Sequence, residues 1–186
     1  IGLAVNPFDD FYHVNKILDH FSRMNVKCVV RTHQSQTLLF IKKLKIYIKD
    51  KDWLCWSDSR EELIEDYFMN VNILIASNSS IHLEAALAGL PTFYYEMSKE
   101  VLFSDYYGYV KKGISKRLKK NFSYELLKNS IKSQVSDIKR QQAIKSYSET
   151  HGTPWQNLEG DLSALIINRI INDKSLEDLF KVQKSK

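Results

Sequence analysis

Over residues 1–115 short apolar runs alternate with longer amphipathic segments, and such a chain buries its apolar atoms best as a sheet covered by helices. Ile1 to Val5 is a strand-like run ended by Asn6-Pro7, and Asp9 or Asp10 can cap the helix that follows. In that helix Phe11, Val14, Ile17, Leu18 and Phe21 recur at three- and four-residue steps and form one apolar face. The pattern then predicts a strand over 26–31, a helix over 35–49 carrying Leu38, Leu39, Ile41, Leu44 and Ile48, and a short strand over 53–56. A helix over 57–69, capped by Asp58 or Ser59, comes next. A strand apolar on both faces (72–76), a helix (79–88) and a strand (90–95) complete the series. Strands separated by helices of this length predict right-handed βαβ units around a parallel sheet, an α/β, Rossmann-like fold with flanking helices. Beyond it the pattern is helical, over 124–135, 136–149 and 160–171, with Gly152-Thr153-Pro154 as the break. The expected organisation is a core over 1–115, a helical segment over 116–172 packing on it, and a polar tail over 173–186.

The 186 residues suit one domain or one half of a two-domain protein, and 44% hydrophobic with 26% charged residues excludes a disordered chain. No apolar run approaches the roughly 18 residues of a membrane-spanning helix. Cys28 and Cys55 sit in apolar runs and are too few for a disulfide framework or a four-ligand zinc site, which points to a reducing, cytoplasmic setting. A net charge of +5 is modest, so a nucleic-acid partner is not expected. The chain opens on Ile directly in a strand, which predicts a start inside a longer protein.

The stretch from Ile73 to Glu96, ILIASNSSIHLEAALAGLPTFYYE, carries the clearest chemistry. A buried strand ends in Ser77-Asn78-Ser79-Ser80, which opens into a helix. Ligands of open α/β sheets lie at the carboxyl ends of the strands, and small hydroxyl side chains beside free backbone N–H groups suit a phosphate. A plain helix cap is the structural alternative for the same serines. Glu84 lies one and a half turns into the helix, within reach of the cap or of a ribose diol; its small apolar neighbours suggest burial, which would demand a partner. Gly89 reads as the residue that ends the helix. A second strand end, Val29-Val30-Arg31-Thr32-His33-Gln34, offers a guanidinium fork and an imidazole donor.

The order strand, SNSSxxxEAALAGLP, strand resembles the donor-binding (C-terminal) domain of bacterial GT-B glycosyltransferases. The likeness is to sialyltransferase-like and capsule or lipopolysaccharide transferases, and the teichoic-acid glycerophosphotransferases share the Ser-Ser, Glu and Pro spacing. It covers about residues 26–110. The resemblance implies that Asn78, Ser79 and Ser80 bind donor phosphate, that Glu84 binds the nucleotide ribose, and that His33, with Arg31 before it, serves the departing phosphate as the catalytic group of this half. Thr32 and Gln34 stand where that family commonly has Pro, a departure at this turn. It also implies a CMP-, UDP- or CDP-linked sugar as donor, a glycan or lipid-linked acceptor, and a general base in another α/β domain of the same protein. No metal cofactor is expected, because no His or carboxylate pair sits at ligand spacing beside these strand ends.

Tyr94, Tyr95 and Glu96 finish the next strand as possible lining of the same cleft, with half-buried packing as the alternative. The loop Asp105-Tyr106-Tyr107-Gly108-Tyr109 offers aromatic faces to a sugar or base. Lys111, Lys112, Lys116, Arg117, Lys119 and Lys120 form the densest basic run, a solvated face or a peripheral contact with an anionic membrane. His151 precedes a turn and carries no catalytic expectation. No metal-ligand spacing, P-loop or dinucleotide fingerprint is present. The leading expectation is the nucleotide-sugar-binding half of an inverting glycosyltransferase of surface polysaccharide synthesis. A teichoic-acid-type polyol-phosphate transferase and a non-enzymatic module of the same fold are the alternatives. A sugar-nucleotide 2-epimerase is less favoured, for want of placed acid and base carboxylates.

Overall fold

The computed structural model describes residues 1–98 and 104–150, with the side chains of 149 and 150 excepted. Six strands, β1 (Gly2–Val5), β2 (Cys28–Thr32), β3 (Leu54–Asp58), β4 (Leu74–Ala76), β5 (Thr92–Tyr94) and β6 (Lys116–Arg117), form one sheet in the order β3-β2-β1-β4-β5-β6. Every neighbouring pair is parallel, as the βαβ pattern predicts. The helices are α1 (Phe11–Arg23), α2 (Leu38–Ile48), α3 (Ile64–Met69), α4 (Ile81–Leu87), α5 (Tyr124–Val135) and α6 (Ile138–Thr150).

Alternation along the strands splits the core into two layers. Leu3 and Val5, Cys28 and Val30, and Ile73 and Ile75 pack with Val14, Ile17, Leu18 and Phe21 of α1 and with Phe40 and Leu44 of α2. Ala4, Leu74 and Ala76 pack on the other layer with Tyr67 of α3 and Ile81 and Ala85 of α4. The asparagine-led run at 72–76 is therefore apolar on both faces because helices cover both.

Asp10 caps α1, its carboxylate accepting from the Tyr12 N–H at 2.9 Å. α4 ends in a Schellman turn, with Gly89 at φ +84°, its N–H donating to Ala86 O and the Leu90 N–H to Ala85 O. Two expectations are corrected. The helix expected over 57–69 begins only at Ile64, because Ser57 and Asp58 continue β3 and Asp58 is forked by Arg60. Leu38 and Leu39, expected on the apolar face of α2, are 77% and 64% exposed, and Phe40 is buried beside the expected Ile41 and Leu44.

Residues Ile1–Ile144 make one compact unit, which includes β6 and α5 and so reaches past residue 115. A second unit starts at Lys145, and only the end of α6 within it is described. The helix expected over 160–171, the tail over 173–186 and His151 lie outside the described residues. Among the described residues no helix is long and apolar enough to cross a membrane.

Candidate functional site

The strand order reverses direction between β1 and β4, and β1, β2 and β4 all end on the same edge of the sheet. At that edge, on the α3–α4 side, opens a cleft of about 370 Å³. Arg31 and His33 from the end of β2, and Ser79, Ser80 and Glu84 from the start of α4, line it together. Positions 46 to 53 residues apart in the chain thus face one hollow, because β1, which pairs with both β2 and β4, brings their ends to within one strand of each other.

Arg31 is buried and largely committed within the protein. Its Nη1 donates to Ser57 Oγ at 2.7 Å and to Glu62 Oε2 at 3.4 Å, its Nη2 donates to Glu62 O at 2.8 Å, and its guanidinium lies 5.2 Å from the Tyr67 ring centre. Ser57 Oγ donates in turn to the Glu62 carboxylate. The guanidinium therefore joins β2, β3 and the approach to α3, and its charge is balanced by Glu62. His33 is exposed at the rim, and its Nδ1 accepts from the Ser35 N–H at 3.1 Å. A neutral ring held this way keeps its proton on Nε2, leaving that nitrogen as a donor.

The two serines are small and lightly engaged. Ser79 Oγ accepts from the Ile81 N–H at 3.4 Å, and Ser80 Oγ donates to Glu84 Oε1 at 3.2 Å. Glu84 is exposed, which corrects the expectation of burial: the small neighbours Ala85 and Ala86 point into the core while Glu84 points out over the cleft. α4 is only seven residues long, so its hydroxyl and N–H donors matter here more than its dipole.

Asn78, Tyr94, Tyr95 and Glu96 do not line this cleft. Asn78 Oδ1 accepts from the Tyr106 N–H at 2.9 Å, tying the aromatic loop to the serine loop. Tyr94 and Tyr95 are buried, the Tyr94 hydroxyl donating to Glu96 at 2.6 Å, and Glu96 also accepts from Ser98.

A buried polar knot at the reversal point stands beside the cleft, and sequence reasoning did not single it out. Asn6 Nδ2 donates to Ser77 Oγ at 2.7 Å and to Asn78 O at 2.9 Å. Ser77 Oγ donates to Asp9 Oδ1 at 2.5 Å, while Asp9 Oδ2 accepts from the Asn6 N–H at 2.8 Å. Burial, with Glu96 adding repulsion, pushes the Asp9 carboxyl up to about 7 despite these bonds. On the other side of Ser77, His82 Nε2 donates to Ser77 O at 2.9 Å and Nδ1 meets Ser115 Oγ at 3.1 Å. Burial lowers His82 to about 4, so it is neutral there. The knot fixes the loop that leads into Ser79 and Ser80. Its one sequence signal is that Asn6 and Ser77 each follow a buried strand, a cue shared with any turn residue.

Among the described residues no group of three His, Cys, Asp or Glu side chains is placed to hold a metal ion. No protein-family profile matches the chain. No curated protein matches it either. Among solved structures, a Methanocaldococcus jannaschii UDP-GlcNAc 2-epimerase in complex with UDP-GlcNAc and UDP is similar at 10% identity and a TM-score of 0.49, over 79% of this chain and 44% of that one. An S. aureus MnaA–UDP co-structure is similar at 11% identity and a TM-score of 0.42, over 77% of this chain and 38% of that one. A further UDP-N-acetylglucosamine 2-epimerase is similar at 14% identity and a TM-score of 0.39, over 78% of this chain and 37% of that one. The chain spans less than half the length of each of these structures.

Proposed function

We propose that this chain is the nucleotide-sugar donor half of an inverting glycosyltransferase that acts in bacterial surface polysaccharide synthesis. The observation that carries the reading is the meeting of His33, Ser79, Ser80 and Glu84 in one cleft at the carboxyl edge of a parallel sheet. In this reading the Ser79 and Ser80 hydroxyls and the His33 Nε2–H donate to the donor phosphate, and Glu84 accepts from the ribose. Arg31 keeps the β2 end, and with it His33, in place through Glu62 and Ser57. Asn78 contributes by holding the serine loop against the Tyr106 loop.

During transfer the acceptor oxygen bonds to the anomeric carbon as the bond from that carbon to the phosphate oxygen breaks. The electron pair leaves with the nucleotide, where the hydroxyls and the imidazole N–H stabilise it. The acceptor proton goes to a general base, which this reading places in another domain of the same protein, so the chain alone binds donor and turns over poorly. The donor phosphate is held by protein hydrogen bonds without a metal.

Calorimetry with CMP, CDP, UDP and GDP tests the reading. One of them is expected to bind at sub-millimolar concentration, unaffected by EDTA, and Ser79→Ala/Ser80→Ala is expected to weaken it about 10- to 100-fold, for one to two charge-assisted hydrogen bonds. Absence of binding for all four, or unchanged affinity in the double variant, rules the reading out. In the full-length protein, formation of a phosphodiester instead of a glycosidic bond would assign the polyol-phosphate alternative.

A further inference from the structure

The whole net charge of the protein resides in one exposed ribbon. Lys111, Lys112, Lys116, Arg117, Lys119 and Lys120 carry six positive charges within ten residues, and no Asp or Glu occurs between Asp105 and Glu125. Outside the ribbon the chain has 21 Lys and Arg against 22 Asp and Glu, so the +5 excess is local. All six cations are exposed, while Ile114 and Leu118 are buried and anchor the ribbon to the sheet. None of the six forms an ion pair among the described residues.

Two of the six have work within the fold. Lys116 Nζ donates to Ser133 Oγ on α5, and the Arg117 guanidinium lies 4.5 Å from the Tyr94 ring centre. Both sit in β6, an edge strand where cations discourage pairing with another chain. Edge protection does not account for Lys111, Lys112, Lys119 and Lys120, which lie in the turns before and after the strand. Lys119 and Lys120 leave the sheet at its carboxyl edge, where the cleft also opens. Tyr106 at 70%, and Tyr124 and Leu126 at 48% each, flank the ribbon as exposed rings and an aliphatic chain. Four uncompensated lysines bordered by tyrosine and leucine match the headgroup zone of an anionic bilayer, which takes cations at the surface and amphipathic rings just beneath. A nucleic acid fits less well, because six basic groups within ten residues make a short stripe for a phosphate backbone.

We propose that residues 111–120 form a peripheral docking surface for an anionic lipid membrane. Each lysine near such a surface strengthens partitioning about fivefold. The contact is electrostatic and weakens as salt rises.

The test uses the full chain and sedimentation with vesicles of phosphatidylcholine alone, or of phosphatidylcholine mixed with phosphatidylglycerol. The chain is expected to sediment with the mixed vesicles at low salt, to be released at about 1 M salt, where the screening length is ~3 Å, and to ignore the neutral vesicles. Lys111→Gln/Lys112→Gln/Lys119→Gln/Lys120→Gln is expected to weaken partitioning by about several hundredfold. Lys27→Gln/Lys42→Gln/Lys49→Gln/Lys139→Gln removes the same charge at four exposed lysines elsewhere and is expected to partition within about twofold of the unmodified chain. No binding to the mixed vesicles overturns the proposal, as does an equal loss in the two variants, or tighter binding to a duplex oligonucleotide than to the vesicles. Should a variant fold poorly, the unmodified chain still decides the matter: binding to mixed vesicles that survives 1 M salt overturns an electrostatic contact.

Discussion

At Gly2 the backbone runs so close to α3 that a Cβ would stand 2.6 Å from the Tyr67 hydroxyl oxygen and 3.1 Å from a Val71 methyl. That hydroxyl is buried without a hydrogen-bond partner among the described residues, so it wedges against the strand instead of bonding to it. Gly2→Ala is therefore expected to cost about 1–3 kcal/mol in urea unfolding, as overpacking does. Tyr67→Phe removes an unsatisfied group and is expected to cost little. In the Tyr67→Phe background the Gly2→Ala cost should shrink; an unchanged cost would place the clash elsewhere. Side-chain pairings of this kind are hard to read from sequence. Arg31 reads there as a phosphate fork, and only the fold shows Glu62, 31 residues away, occupying it. Asp9 reads as a cap until Ser77, 68 residues on, takes its carboxylate. His33, Ser79 and Ser80 were legible because a polar residue just past a buried strand must lie at the sheet edge, whatever its neighbours.

Elements were legible where a period was long and a terminus was signalled. α1 has a capping Asp10 and an apolar stripe that is buried as expected at Val14, Ile17, Leu18 and Phe21. α5 spans the predicted 124–135, with Ser123 accepting from the Leu126 N–H. β6 was missed because its two residues, Lys116 and Arg117, carry no apolar signal; it is held by pairing with Phe93 and Tyr94. The start of α3 was misplaced because Asp58 and Ser59 look like caps, whereas Ser57 and Asp58 are drawn into β3 by the Arg31–Glu62 brace and the Arg60 fork. That brace predicts an element-level effect. Arg31→Met removes the charged donor to Ser57 Oγ and to Glu62, leaving the Glu62 carboxylate with Ser57 Oγ but no counter-charge, and is expected to lower stability by about 1.5–3 kcal/mol in denaturant melts. Adding Glu62→Gln should return part of that loss, because the stranded carboxylate is gone. Strict additivity of the two changes would mean that the ion pair does not couple β2 to the approach to α3.

For the molecule as a whole, the knot at the strand reversal ties its stability to pH through two buried groups of opposite sense. Asp9 is raised from an ordinary 3.8 to about 7, so between those values the folded state holds a proton that the unfolded chain has released. Its contribution is present at low pH and is lost as pH rises toward 7. His82 is lowered from 6.5 to about 4, so over that interval the unfolded chain holds the extra proton, and stability rises with pH. Each effect amounts to about 1.4 kcal/mol per pH unit at full strength, with opposite sign. Between pH 4 and 6.5 they nearly cancel. Removing one should expose the other. Relative to the unmodified chain, Asp9→Asn is expected to steepen the rise of unfolding free energy with pH over that range. His82→Gln is expected to tilt the same curve downward. Both variants keep a group able to hydrogen-bond to Ser77, so the slopes report charge more than lost geometry. Urea titrations at half-unit pH steps read the difference between each variant and the parent, which removes the titrations common to both. Parallel curves for all three proteins would mean that these groups titrate alike in the folded and unfolded chain, and that the knot is held by hydrogen bonds alone.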